Sequence, residues 1–157
     1  MNINYRRSAP SDNETINELF IEMIKTINRR MIEDGVEPYT ELERGYEDGY
    51  LDTFYVDDNR IIFVADNGEN VIGYLSTVIH DNYLYLDDYC VSEKFRGYGI
   101  GSNLIKLSEE FAKEKGLDEV HLHVQTANHE SREFYSRRGY GFISEEEKRI
   151  LLGKKVR

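Results

Sequence analysis

Val91-Ser92-Glu93-Lys94-Phe95-Arg96-Gly97-Tyr98-Gly99-Ile100-Gly101-Ser102 is the stretch on which the fold turns. It separates two periodicities. Upstream, Tyr83–Val91 is dense in aromatic and β-branched residues and reads as a strand. Downstream, Ile100, Leu104, Leu107 and Phe111 recur at three- and four-residue steps on one helical face, which ends at Gly116 as a C-cap. Three alternate glycines let the backbone turn sharply and approach a ligand closely. The free N–H groups and positive dipole end of the helix that follows favour a phosphate or pyrophosphate, and Arg96 adds a forked cation. A tight strand-to-helix turn accounts for the same glycines, so the loop does not decide function by itself. Two other phosphate motifs fail here. No lysine stands where a P-loop needs one, and the spacing is G-x-G-x-G instead of the dinucleotide G-x-G-x-x-G.

Working outward, Ile3-Asn4-Tyr5-Arg6 reads as a short first strand. Ser11–Glu14 reads as a capping box before a helix carrying Ile16, Leu19, Phe20, Met23, Ile24, Ile27 and Met31 on one face. A second helical stretch is expected within Pro38–Leu51, weakened by Gly45 and Gly49. Ile61–Ala65 and Val71–Ile79 flank an Asn67-Gly68 turn as paired strands, and a turn at Asp81-Asn82 leads into Tyr83–Val91. Val120, Leu122 and Val124 alternate as a strand, a short helix spans about Glu130–Arg138, and Lys148–Val156 reads as a last strand. The expectation is an α/β (α+β) fold, a mixed sheet with helices packed on it.

Length and charge bound the rest. A chain of 157 residues is about one domain, and one of this size buries on the order of 70% of its unfolded surface. No apolar run approaches the roughly 20 residues of a membrane helix, and no apolar stretch follows Arg6 and Arg7 as in a signal peptide. A lone cysteine, Cys90, suits a reducing compartment, so a cytoplasmic protein with no membrane partner is expected. The formal charge of −10 repels phosphate backbones and argues against a nucleic-acid partner. It makes a cationic partner electrostatically easier, although excess acid also serves solubility.

Val91–Gly101 closely resembles the acetyl-CoA signature of the GNAT superfamily, in which Arg or Gln is followed by two residues, Gly, one residue, then Gly or Ala. Asn128-x-x-Ser131-x-x-Phe134-Tyr135-x-x-x-Gly139-Tyr140 resembles the second motif of that family, in the right order and separation. Ser131 stands for the usual alanine and Tyr140 for phenylalanine. Leu86-Asp87-Asp88-Tyr89 looks most like polyamine and small-amine acetyltransferases, and also occurs in aminoglycoside-type members.

The resemblance implies one N-acetyltransferase domain over residues 1–157. Its mostly antiparallel sheet would have about six or seven strands, flanked by about four helices. It implies acetyl-CoA as cosubstrate, no metal, a small-molecule amine acceptor and, as is frequent in the family, a homodimer. Backbone N–H groups of Arg96, Gly97, Tyr98, Gly99, Ile100, Gly101 and Ser102 would hold the pyrophosphate. Tyr89, Cys90 and Val91 would pair with the pantetheine arm, and Asn128 would bond it from the other side. Tyr135 matches the family's general acid.

The chemistry itself sets needs. An alkyl ammonium has a pKa near 10.4 and must lose a proton before attack, which a carboxylate accepts, often through water. Asp87 and Asp88 are the candidates. Strand alternation places them on opposite faces, so at most one points at the thioester. The resemblance to polyamine-type enzymes implies Asp87 as base and leaves Asp88 to substrate binding; the alternative is that one of the two simply pairs with a basic neighbour or binds the substrate cation. Tyr135 is protonated at neutral pH and suited to return a proton to sulfur, although a core aromatic fits the position too. His121 and His123 share a strand face without a third ligand, and read as surface histidines. Cys90 reads as a small buried hydrophobe. Eight acids and one arginine lie between Glu33 and Asp52, interleaved with Tyr39, Tyr46 and Tyr50. That mixture suits a cationic acceptor touching Tyr39, and equally a solvated acidic face. An acyl-CoA-binding module without turnover is the alternative reading.

Overall fold

Seven strands form one sheet in the order β1-β2-β3-β4-β5-β7-β6, in a computed structural model that describes residues 1–157. They are β1 (Asn4–Arg7), β2 (Arg60–Asp66), β3 (Val71–Ile79), β4 (Tyr83–Val91), β5 (Glu119–Gln125), β6 (Gly141–Glu145) and β7 (Arg149–Lys155). Every pairing is antiparallel except β4 with β5, which is parallel. Helix α2 (Ile100–Glu114) makes that one parallel crossover and packs on one sheet face, while α1 (Asn13–Glu33) covers the other face over β3 and β4. Helix α3 (His129–Arg137) follows β5. This is the mixed, mostly antiparallel α/β architecture that the sequence implied.

Two apolar cores separate along the sheet. Alternate residues of β2–β5 pack with Ile100, Leu104 and Phe111 of α2. The opposite alternates, Ile62, Val64, Tyr74 and Cys90, pack with Ile16, Leu19, Phe20 and Ile24 of α1. Leu104 is fully buried, and truncating such a leucine to alanine typically costs about 2–5 kcal/mol.

Local details depart from the sequence reading. Helix α1 does not begin with a capping box at Ser11, which is exposed. Asp12 anchors the entrance instead, accepting the Ala9 N–H at 2.7 Å and an ion pair from Arg6 at 2.8 Å. Arg6 also pairs with Asp66, so one cation ties β1, β2 and the start of α1 together. The expected second helix is two 3₁₀ turns, Thr40–Arg44 and Leu51–Tyr55, because Gly45 and Gly49 interrupt helical propagation. Three α-helices are present where about four were expected. Strand β6 was not foreseen, since all five of its residues are exposed and leave no buried alternation to read.

The strand that carries Asp87 and Asp88 is irregular in two ways. Leu75 stands opposite Tyr89 and Thr77 opposite Leu86, so the single residue Ser76 faces both aspartates in a β-bulge. The Ser76 hydroxyl accepts the Asp88 N–H at 3.0 Å. Pairing with β5 then stops at Leu86–Leu122, although β5 continues along β7 to Gln125. The sheet therefore splits, and the edge of β4 beyond Leu86 has no strand partner on that side.

Candidate active site in the split between two strands

A cleft of about 970 Å³ occupies this split. It is lined by β4, β5, the glycine loop, the first turn of α2, α3, the middle of α1 and the Tyr39–Tyr50 segment. Fourteen of the fifteen residues singled out from sequence line it: Tyr39, Asp87, Asp88, Tyr89, Cys90, Val91, Arg96, Gly97, Gly99, Ile100, Gly101, Ser102, Asn128 and Tyr135. Tyr98 does not. Its ring is two-thirds exposed to solvent outside the cleft.

One half of the cleft is built to receive an anion. Gly97 and Gly99 take φ of 85° and 78°, a region that side chains with a Cβ disfavour, and Gly99 sets the start of α2. The first-turn N–H groups of a helix have no intrahelical partners. Arg96 donates Nε to the Val91 carbonyl at 3.2 Å, which fixes its guanidinium beside the loop. Arg138, which no sequence signal marked, joins it. Its guanidinium donates to the Ser102 hydroxyl and to the Phe134 carbonyl, and stacks 3.5 Å from the Phe134 ring centroid. Gly101 answers a different need, because a Cβ there would overlap the Tyr89 hydroxyl. Gly101→Ala is therefore expected to destabilise the protein by about 1–3 kcal/mol, as overpacking does. Adding Tyr89→Phe is expected to recover part of that loss in thermal melts. Equal losses in the single and double variants would show that the hydroxyl is not the obstacle.

The other half carries the carboxylates. The bulge corrects the expectation of opposite faces, since both aspartates meet side chains on the α1 side of the sheet. The Tyr46 hydroxyl donates to Asp88 at 2.6 Å and lies 3.0 Å from the Tyr74 hydroxyl. Tyr46 is itself clamped between Phe20 and Tyr50, with ring centroids 4.0 and 4.9 Å away. Burial, with Asp87 adjacent, pushes the Asp88 carboxyl up to about 7. Asp87 is open to solvent at the cleft floor, yet enclosure by protein still raises its pKa against the opposing pull of Arg60, Tyr50 and Arg149.

Tyr135 is 6% exposed, reaches the cleft and has no hydrogen-bond partner on its hydroxyl within the protein. Burial raises the pKa of the phenol and keeps it protonated. Asn128 caps α3 by accepting the Ser131 N–H at 3.2 Å, and also accepts from Arg30 of α1. Its side-chain carbonyl therefore has a structural task, and its amide N–H₂ is the part left for a ligand. Cys90 is buried and its thiol is pushed up to about 12, in keeping with an inert hydrophobe.

His123 is not a surface histidine. Its side chain is 16% exposed, lines the cleft, and shares a 2.5 Å hydrogen bond between Nδ1 and the Tyr85 hydroxyl. Burial, followed by Arg149, lowers its pKa and favours the neutral ring. His121, half-buried, stacks on Tyr83 at 4.1 Å. No group of three or more His, Cys, Asp or Glu side chains is placed to hold a metal ion. The acids of residues 33–52 do not line the cleft either, where that segment contributes Tyr39, Leu42, Tyr46 and Tyr50. Glu43 instead accepts from the buried Asn28 at 2.8 Å, and Asn28 also bonds the Tyr39 backbone, which holds this wall against α1.

Comparison with known proteins agrees with the geometry. The chain is 26% identical over 157 aligned residues to an uncharacterized N-acetyltransferase of Methanocaldococcus jannaschii, covering 89% of this chain and 67% of that protein. It is 29% identical over 113 residues to streptothricin acetyltransferase A of Bacillus subtilis, covering 67% of this chain and 65% of that one. The matches span between 22% and 67% of the curated relatives' lengths. In fold, it superposes on the crystal structure of the PaiA N-acetyltransferase of Thermoplasma acidophilum in complex with coenzyme A. The TM-score is 0.83 at 21% identity, covering 99% of each chain. The model of the acetyltransferase (GNAT) family matches residues 24–142, most of the molecule and both halves of the cleft, and the chain belongs to that family.

Proposed function

We propose that this chain is an acetyl-CoA-dependent N-acetyltransferase acting on a primary amine of a small acceptor. The observation that carries the reading is the split of β4 from β5. It sets an anion cradle at one end and two carboxylates at the other, with an unpartnered phenol between. The residues fit the cosubstrate. Gly97 and Gly99 leave the loop N–H groups open to a pyrophosphate, Arg96 and Arg138 supply cations, and the free edge of β4 offers peptide groups to a pantetheine arm.

Bound there, acetyl-CoA supplies an activated acyl thioester; the chain's own residues do the rest. Asp87, open at the cleft floor, takes the proton from the acceptor ammonium, directly or through a water. The freed amine attacks the acyl carbon, the C–N bond forms and the C–S bond breaks. A β4 peptide N–H at Tyr89–Val91 stabilises the carbonyl oxygen as it gains charge. Tyr135 gives its proton to the departing sulfur and regains one from the second proton that the attacking nitrogen sheds, directly or through water. Asp88, held by Tyr46 behind Asp87, keeps its proton up to about 7 because of burial and the adjacent Asp87 charge, and so leaves Asp87 as the ionised member of the pair below that pH. The charge at the floor suits the ammonium group of a cationic acceptor.

Thiol release from acetyl-CoA against polyamines, aminoglycosides, amino acids and short peptides tests the reading. Release that depends on an amine is expected. Tight acetyl-CoA binding with no release from any acceptor points to an acyl-CoA-binding module without turnover, and neither binding nor release sinks the assignment.

A further inference from the structure

We propose that the acceptor carries an anionic group, a carboxylate in its simplest form, as well as the primary amine, and that Arg149 recognises it. This rests on the acetyl-transfer reading of the same cleft. Arg149 opens β7 beside Gln125 of β5 and lines the acceptor half of the cleft. Its Nε donates to Glu146 at 2.5 Å, which fixes the guanidinium, while its two terminal nitrogens have no partner within the protein. A guanidinium held in this way offers a fork matched to a carboxylate.

Asp87 faces the same cavity with Tyr50 as its polar neighbour and no ion pair within the protein; no salt bridge joins it to Arg149. Asp87 and Arg149 thus share one cavity without pairing with each other, while Glu146 engages only the Nε of Arg149. A ligand with opposite charges at its two ends satisfies both. A second cation lies at the same rim, where Lys148 sits 4.9 Å from the Tyr39 ring and donates to the Glu37 carbonyl. Tyr39 reaches Gln125 from the other wall at 3.4 Å. An acceptor with amines at both ends would bring its second ammonium to the terminal nitrogens of Arg149, whose ion pair with Glu146 engages the Nε side alone. The charge layout therefore orders the acceptor with its amine at Asp87 and its anion at Arg149.

Matched acceptors test this with the intact protein: lysine against cadaverine and ornithine against putrescine, each pair differing by one carboxylate. Thiol release is measured for the parent, Arg149→Gln and Arg149→Lys. The carboxylate-bearing member is expected to have the higher kcat/KM by about tenfold, the scale of one charge-assisted hydrogen-bonded pair. Arg149→Gln is expected to lower kcat/KM for lysine or ornithine by about tenfold, mainly through KM, and to move the diamines by less than about twofold. Arg149→Lys is expected to restore part of the loss. Equal or faster turnover of the diamines by the parent overturns the proposal, as does an equal loss on both members of each pair. No thiol release from any amine overturns the acetyl-transfer reading and this proposal with it, and that outcome is distinct from equal rates across the pairs.

Discussion

Tyr135→Phe is expected to lower kcat by about 100-fold or more, within the range that a positioned general acid contributes, while acetyl-CoA binding stays near the parent value. The substitution deletes one oxygen and keeps the ring. The ring packs edge-on against Phe134 and Tyr140, with centroids 5.3 and 5.8 Å away, and these contacts survive. The hydroxyl has no protein partner, so removing it leaves no buried group unsatisfied, and thermal stability is expected to hold. A steady-state assay beside calorimetric binding separates the effects. Burial holds the phenol above its ordinary value of 10, so no alkaline fall in rate from this group is expected below that pH. Unchanged turnover in the variant would remove Tyr135 from the mechanism.

The second large effect concerns the aspartates, and it distinguishes them. Asp87→Asn is expected to lower kcat/KM by about 100-fold near pH 7, because the open carboxylate that receives the ammonium proton is gone. Asp88→Asn is expected to act on the pH profile. In the parent, kcat/KM is expected to rise with pH as the pair gives up its shared proton, with Asp88, pushed up to about 7, helping to place that limb. Asparagine at 88 removes the titration at about 7 and leaves Asp87 to ionise alone, so the limb moves to lower pH. A profile unmoved in Asp88→Asn, or an Asp87→Asn variant of parental activity, would overturn the division of roles.

Stability gives an independent readout of the same pair. The folded-state pKa of Asp88 lies above the ordinary 3.8, so the folded chain holds this proton more tightly than the unfolded chain. Stability therefore declines as pH rises between those values and is lowest above about 7. Asp88→Asn removes that penalty and keeps an acceptor for the Tyr46 hydroxyl. It is expected to raise the melting temperature more at pH 8 than at pH 5, and an equal change at both would contradict the shift.

The exposed β6 edge, the acidic segment and the two aspartates show how differently features of this chain are encoded. Helical faces and strand alternation depend on residues a few positions apart, so α1, α2, β2–β5 and β7 were legible from periodicity. The glycine loop was equally legible, because positive φ at residues 97 and 99 is a local demand. The two GNAT motifs carried the family, and with it the glycine-loop half of the cleft. Strand β6 lacked a buried pattern and stayed hidden.

The acceptor half was decided by contacts between distant residues. Tyr46 meets Asp88 across 42 positions, and Asn28 meets the Tyr39 backbone across 11 and Glu43 across 15. Alternation predicted opposite faces for Asp87 and Asp88, and a bulge against Ser76 of the neighbouring strand put them on one. The eight acids of residues 33–52 were plain in the sequence, but which way they point was set by Asn28 and the 3₁₀ turns that press Tyr39, Tyr46 and Tyr50 inward. Sequence determined the fold class and the glycine loop, because local backbone demands and hydrophobic period encode them. Only the tertiary structure decided which charges face the acceptor, because that depends on strand register and on side chains brought together from far along the chain.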